Sequence, residues 1–345
     1  MSLKIVVTRR IPDPGLSVLR DSGATIQIVQ PDPRAVVDRA ALLAAVADAD
    51  VLVALLTERI DEPLLMHAER LRGVANYAVG FNNIDVDAAT RLGIPVANTP
   101  GVLTESTADL TWALLLAIAR RVPEAHNYMV RGEYQIWGPE LFLGEDVGLG
   151  PDGDRRTLGI IGFGRIGQAV ARRARGFDMR VVAFDPYMRD AINASHDVTW
   201  NDFDELLRHS DFVSLHAVLT VETHHLIGER ELRLMKEGAY LINVARGEMI
   251  DETILVRALN EDWIAGAALD VYEREPAMAD GLAHCANAVF VPHIGSATHG
   301  TRKRMATMAA SNAVAHLNLQ QAAHVVNHAV YDSAAYRQRI ARLVV

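Results

Sequence analysis

Three residues, each placed just past a short apolar run, carry the chemistry open to this chain. Arg246 closes Leu241-Ile242-Asn243-Val244-Ala245-Arg246-Gly247. Glu275 lies in Ala268-Leu269-Asp270-Val271-Tyr272-Glu273-Arg274-Glu275-Pro276, and His293 follows Phe290-Val291-Pro292. A guanidinium can clamp the carboxylate of a 2-oxo acid and polarise its carbonyl. An imidazolium can protonate the alkoxide that forms when hydride arrives. A carboxylate beside that imidazole fixes its tautomer and favours its protonated form. Singly, each residue has a plainer explanation: a strand-end Arg or Glu is ordinarily a solvated surface group, and a His after Pro a satisfied loop residue. The other histidines, His209, His216, His224 and His225 among them, are left to that explanation. No grouping of His with carboxylates has a metal-ligand spacing, so no metal is expected.

The hydride source is written in Thr157-Leu158-Gly159-Ile160-Ile161 followed by Gly162-Phe163-Gly164-Arg165-Ile166-Gly167. This reads as a strand, a tight turn and a helix beginning near Arg165. Gly162 permits the turn, Gly164 lets a pyrophosphate approach the backbone, and Gly167 allows close helix–strand packing. Arg165 and Ile166 lie where the helix start offers its amides to an anion. The next strand, Arg180 to Phe184, ends at Asp185, 18 residues after Gly167. A carboxylate there accepts the adenosine ribose hydroxyls and repels a 2′-phosphate. The expected cofactor is therefore NAD, with NADH preferred over NADPH; Arg189 is the nearest cation that could compensate a 2′-phosphate. The plainer readings are a tight strand–helix connection or a site for another adenosine ligand such as S-adenosylmethionine.

These groups need a scaffold, and the apolar pattern supplies one. Short β-branched runs alternate with amphipathic, helix-length segments, as in parallel sheets with helices on both faces. In the first hundred residues strands are expected near 3–8, 24–29, 50–55, 73–78 and 94–97, with helices such as Val36 to Ala47 and Ile84 to Leu92. A helix from Ala108 to Arg121, capped by Thr104 or Ser106 and stopped at Pro123, then crosses to a second unit. The polar stretch Gly144 to Arg156 reads as an exposed loop or hairpin tip. Strands follow near 157–161, 180–185, 211–216, 239–244, 264–270 and 288–291. After a helix from Thr301 to Leu317, the tail with Val325, Val326 and Val330 is expected to pack back on the first unit. The fold class is α/β: two Rossmann-like domains with doubly wound parallel sheets and a ligand cleft between them. Residues 1–101 with 297–345 form the substrate-binding domain, and 102–296 the dinucleotide-binding domain.

Bulk composition excludes other classes. The chain has 345 residues, a formal net charge of −9 and scattered Lys and Arg, which argues against nucleic acid or an anionic membrane as partner. A single cysteine, Cys285, excludes an intramolecular disulfide framework and fits a reducing compartment. Leu3 to Thr8 reads as a buried strand rather than a signal peptide. The longest apolar run, about Leu110 to Ala119, is too short to span a bilayer, so a cytoplasmic protein is expected.

The Gly162–Gly167 turn, Asn243 to Gly247, Asp270 to Pro276 and Pro292-His293-Ile294-Gly295-Ser296, in that order, resemble the D-isomer-specific 2-hydroxyacid dehydrogenases over about residues 3 to 330. Within the family, Trp137-Gly138-Pro139-Glu140-Leu141-Phe142-Leu143-Gly144 looks most like the glyoxylate/hydroxypyruvate reductases. The resemblance implies a catalytic trio of Arg246, Glu275 and His293, the roles derived above. It implies that the Val79 and Gly80 amides meet the substrate carboxylate and that Leu56 lines the substrate pocket. Thr107, Ala245, Asp270 and Gly295 would approach the cofactor, and Trp137 would reach the substrate from the partner subunit of a homodimer. The residues themselves allow a simpler account, core packing for Leu56 and Val79 and interface packing for Trp137.

Two departures stand out. The stretch Gly148 to Arg156 is about six residues longer than the family's usual strand entry, and Asp185 stands where NADPH-using reductases tend to carry a small polar residue followed by Arg. Other members share the motifs. A D-3-phosphoglycerate dehydrogenase would need cations near the substrate phosphate, where Leu55, Leu56 and Val79 supply none and Arg59 is close. A phosphite dehydrogenase would carry Lys at Val79. In a different class, the C-terminal-binding-protein corepressors use the fold as an NAD-sensing scaffold; the short stretch after the returning helix argues against a regulatory tail of that kind.

Overall fold

The computed structural model describes residues 2–32, 34–195 and 197–343. The chain divides into two units, one running up to Leu103 and resuming at Ala297, the other from Thr104 to Ser296. Both are parallel α/β sheets.

In the first unit, β1 (Lys4–Arg9), β2 (Thr25–Gln30), β3 (Val51–Ala54), β4 (Gly73–Asn76) and β5 (Val96–Ala97) pair in the order β2-β1-β3-β4-β5. Side chains alternate between faces, as a strand's period of two requires. Val6, Leu52, Val74 and Val96 bury on one face, and Ile5, Val7, Val51, Val53 and Ala75 on the other. In β1, β3 and β4 neither face is left to water, which is why they read as nearly unbroken apolar runs, whereas the edge strand β2 alternates and exposes Thr25 and Gln27. Helices start at side-chain caps: Asp38 accepts the Ala41 N–H at 2.8 Å before Arg39–Val46, and Asp85 accepts the Ala88 N–H at 2.8 Å before Val86–Arg91. The helix His299–Leu317 covers one face, and the tail returns as expected. Val326 donates its N–H to Val96 O at 2.8 Å, Val325 and Val330 are buried, and Arg339 donates to the Leu71 and Ala68 carbonyls at 2.6 and 2.7 Å.

In the second unit, β6 (Thr157–Ile161), β7 (Arg180–Phe184), β8 (Thr199–Trp200), β9 (Phe212–Leu215), β10 (Tyr240–Asn243), β11 (Gly266–Leu269) and β12 (Ala288–Phe290) pair in the order β12-β11-β10-β9-β6-β7-β8. Two apolar cores lie on its two faces, one holding Leu158, Ile160 and Ile242, the other Ile161, Leu241 and Leu269. The strand order reverses between β6 and β9, the point where open α/β sheets bind ligands at the carboxyl ends of their strands.

Two expectations need correction. The long helix is Thr104–Ala119, and Pro123 does not stop it. The chain turns at Arg121, whose φ is 52°, and Pro123 sits in the first turn of a second helix, Val122–Val130. Proline is at ease there because its missing N–H would have had no acceptor. The strand β8 was not anticipated; it is two residues long at a sheet edge, with no apolar run to announce it. The stretch Gly144 to Arg156 does contain a hairpin tip, where Leu149 and Arg155 face each other antiparallel. Among the described residues, no helix is long and apolar enough to cross a membrane.

Candidate active site

The carboxyl edge of the seven-stranded sheet gathers most of the residues singled out above. After β6 the chain turns at Gly162, where φ is +91° and a Cβ would lie 2.5 Å from the Ala217 nitrogen. Only glycine fits both constraints. A Cβ on Gly167 would lie 2.3 Å from Gly162 O, so the helix Arg165–Ala174 packs closely on the turn. At Gly164 the opposite holds: a Cβ would meet nothing within 4 Å. The backbone there faces open space, and helix geometry leaves the Arg165 and Ile166 N–H groups without intrahelical acceptors. The turn fits a dinucleotide pyrophosphate.

Asp185, at the end of β7, is half-buried and tied to that turn. One oxygen accepts the Phe163 N–H at 2.8 Å and the other the Tyr187 N–H at 2.9 Å. Arg189 stacks its guanidinium on Trp200, 4.0 Å from the ring centroid.

At the end of β10, Asn243 is fully buried and shapes its own turn. Its side chain accepts the Ala245 N–H at 3.0 Å and donates to Arg246 O at 2.8 Å. Arg246 projects from this turn and donates to Ala245 O at 2.6 Å. Burial pulls the guanidinium's pKa below its ordinary value, while the charges of Glu248 and Glu275 act in the opposite direction. Gly247 follows against the β11 loop: a Cβ there would lie 1.8 Å from the Tyr272 carbonyl carbon.

Beyond β11, Glu275 accepts the Tyr272 N–H at 3.1 Å and faces Nδ1 of His293 at 2.9 and 3.2 Å. The His293 and Glu275 side chains are 27% and 29% exposed, so the pair is fixed yet reachable. His293 takes a φ of 52°, an uncommon conformation costing on the order of 1–3 kcal/mol. Its N–H donates to Asp270 O at 2.9 Å, and Asp270, 1% exposed, accepts the Ile294 and Gly295 N–H groups at 2.5 and 2.8 Å. Burial pushes the Asp270 carboxyl up, against those hydrogen bonds and the nearby His293. Thr107 donates to Gly295 O at 3.3 Å, bringing two of the cofactor candidates together. With one edge of His293 held by a carboxylate, the other ring nitrogen is available to deliver a proton.

Leu56, Val79 and Gly80 belong to the first unit, past the ends of β3 and β4, and all three are half-buried. The Val79 carbonyl accepts from Asn98 Nδ2 and the Gly80 carbonyl from Asn76 Nδ2, both at 2.8 Å. Their N–H groups have no acceptor among the described residues. Trp137 is 71% exposed.

Sequence reasoning passed over two anchors of the β11 loop. Glu252 is a buried carboxylate bonded to two amides of that loop, and His225 Nε2 lies 3.1 Å from Glu273. Glu252 carries no local signal of this role and His225 reads as a satisfied loop residue, because their partners are over twenty residues away.

The sequence profile of the D-isomer specific 2-hydroxyacid dehydrogenase NAD binding domain matches residues 112–295. A glyoxylate reductase from Thermococcus gammatolerans is 47% identical over 334 residues, 96% of this chain and 97% of its own length. A Thermus thermophilus protein of solved structure superposes with a TM-score of 0.85 at 42% identity, covering 94% of this chain and all of that one. An NADPH-dependent glyoxylate/hydroxypyruvate reductase from Sinorhizobium meliloti, solved with NADP and malonate, superposes with a TM-score of 0.80 at 29% identity, covering 95% and 97%.

Proposed function

The chain belongs to the D-isomer-specific 2-hydroxyacid dehydrogenases, oxidoreductases with a nicotinamide-dinucleotide-binding domain, and we propose that it reduces glyoxylate to glycolate and hydroxypyruvate to D-glycerate. The observation that carries the mechanism is the 2.9 Å pairing of Glu275 with His293 on the sheet edge that also bears Arg246 and the Gly162–Gly167 turn. The substrate assignment draws on full-length similarity to glyoxylate reductases.

The glycine turn, Arg165, Ile166 and Asp185, together with Thr107, Ala245, Asp270 and Gly295, would hold the dinucleotide, which when bound supplies a hydride to the carbonyl carbon. Arg246 binds the substrate carboxylate and draws electron density toward the carbonyl oxygen. His293 carries a proton on Nε2 and releases it to that oxygen as negative charge develops, giving the hydroxyl. Glu275 holds Nδ1, which fixes the tautomer and stabilises the imidazolium. In the first unit, the same reading gives the substrate carboxylate the free N–H groups of Val79 and Gly80, and the small remainder of the acid the side chain of Leu56. The cofactor is NADH in preference to NADPH, because Asp185 opposes a 2′-phosphate. The protein acts as a homodimer. Val122, Met129, Val130, Ile136, Trp137 and Leu143 are large apolar side chains more than half exposed on one stretch of chain, the kind of surface that a partner subunit covers.

The test is NADH oxidation with a panel of 2-oxo acids, reported as kcat/KM. Glyoxylate and hydroxypyruvate should lead the panel, and His293→Ala should lower kcat by about 10² to 10⁴. Turnover of 3-phosphohydroxypyruvate with neither of those acids accepted would reassign the substrate. NADH binding without turnover of any 2-oxo acid would favour a cofactor-sensing scaffold.

A further inference from the structure

Glu252 opens the helix Glu252–Asn260, a place where an acid ordinarily stands in water and complements the helix dipole. Here the residue is 2% exposed and its carboxylate points into the β11 loop. One oxygen accepts the Glu273 N–H at 2.8 Å and the other the Ala279 N–H at 3.0 Å. These two amides bracket a short loop with Glu275 inside it, and across its base Arg274 and Ala277 pair in an antiparallel bridge. A second tie runs the other way: the Glu252 N–H donates to a Glu273 oxygen at 3.4 Å, and the other Glu273 oxygen lies 3.1 Å from His225 Nε2. Burying a carboxylate is costly unless its charge is met by donors, and here the donors are main-chain amides of the loop itself.

We propose that Glu252 is a positioning residue, which by gripping both ends of the Glu273–Ala279 loop holds Glu275 against Nδ1 of His293. The inference rests on the reading of His293 and Glu275 as the proton-donating pair. The groups that bear on His293 through this arrangement are Glu275, Asp270 and, acting on Glu275, Arg246; Glu252 and Glu273 add negative charge behind the loop. Burial raises the Glu252 carboxyl, its two amide bonds lower it, and the charges of Glu273 and Glu275 raise it further.

The experiment compares Glu252→Gln, Glu275→Gln and the double variant in the NADH-loaded enzyme, recording kcat against pH together with the Kd for NADH. Glu252→Gln keeps the size of the side chain but replaces one acceptor by a donor that faces an N–H. It should lower kcat by up to about 10²-fold, the cost of a small misplacement at the reacting centre. It should also move the pH profile of kcat in the same direction as Glu275→Gln moves it, with the NADH Kd within about twofold of wild type. The double variant should be no worse than Glu275→Gln alone, because both act through one contact. If Glu252→Gln does not fold, Glu252→Asp keeps the charge, loses the reach to both amides and should shift the profile the same way. A lowered melting temperature with an unmoved pH profile, or fully additive losses in the double variant, overturns the proposal while leaving the His293–Glu275 pair intact. An unmoved profile in Glu275→Gln itself removes the pair and the proposal together.

Discussion

The carboxylate of Asp185 accepts the N–H of Phe163 at 2.8 Å, so the residue expected to choose the coenzyme also ties down the glycine-rich turn. Its two roles predict an asymmetric response to mutation. In the wild type, NADH should exceed NADPH in kcat/KM by at least about tenfold, roughly 1.4 kcal/mol. Asp185→Ser should raise efficiency with NADPH, yet also weaken NADH by more than the loss of a ribose contact, because the turn loses its tie. Arg189 is stacked on Trp200 and is not expected to rescue NADPH, so Arg189→Ala should leave the ratio unchanged. Equal efficiency of wild type with both coenzymes would contradict the assignment.

Gly247 separates the Arg246 turn from the Glu275 loop. A Cβ 1.8 Å from the Tyr272 carbonyl carbon cannot be relieved by rotating a side chain, since the position of a Cβ is set by its own backbone and the atom it meets is backbone too. Gly247→Ala must therefore displace either Arg246 or the loop that carries Glu275. Activity should fall by about 10²-fold or more, while the Gly162–Gly167 turn, on another strand, should bind NADH within about twofold of wild type. Near-normal kcat in a folded variant would mean that these two loops tolerate independent movement.

What the sequence revealed follows from how local each determinant is. The glycine turn, its flanking strands and the strand-end Arg246, Glu275 and His293 are written in contiguous residues, because a tight turn and a buried parallel strand each impose their own local pattern. Glu252 was missed because its meaning lies in amides 21 and 27 residues downstream. Pro123 was misread because proline is compatible both with the end of one helix and the start of the next. Arg121, in a left-handed conformation that no residue type announces, decides between them. Asp185 was read for its ligand and not for its bond to Phe163, since the turn that brings them together exists only once β6 and β7 are paired.

Acid should weaken the first unit through His316. Its ring lies against β4, where a Cβ on Gly73 would sit 2.4 Å from its Cγ, and the residue is 1% exposed. Burial pushes its pKa from the ordinary 6.5 down to about 4. Above 6.5 the ring is neutral in both folded and unfolded chains, so it makes no pH-dependent contribution. As pH falls from there toward 4, the unfolded chain takes up a proton that the folded chain refuses, and stability declines by about 1.4 kcal/mol per unit. Below about 4 both states are protonated and the decline stops. Urea unfolding at pH 7 and pH 5 should show a loss in wild type that is smaller in His316→Leu by roughly 2 kcal/mol. An identical loss in both proteins would assign the acid sensitivity elsewhere.

Trp137 poses the sharpest choice about specificity. It is 71% exposed within a stretch whose Ile136 is 81%, Val130 71% and Leu143 63% exposed, so several large apolar side chains of this stretch face solvent in the single chain. If the indole of one subunit closes the substrate pocket of its partner, it limits the acid to hydrogen or a hydroxymethyl group beyond the carbonyl. Trp137→Ala should then favour bulkier 2-oxo acids over glyoxylate by about 1–3 kcal/mol in relative transition-state binding, with the dimer intact by sedimentation. A purely interfacial indole has a different signature: every substrate falls by one common factor, and the fall tracks dissociation into monomers and reverses at high protein concentration. The graded series from glyoxylate through hydroxypyruvate to longer acids separates the two, because a change in subunit affinity cannot reorder substrates that share one active site.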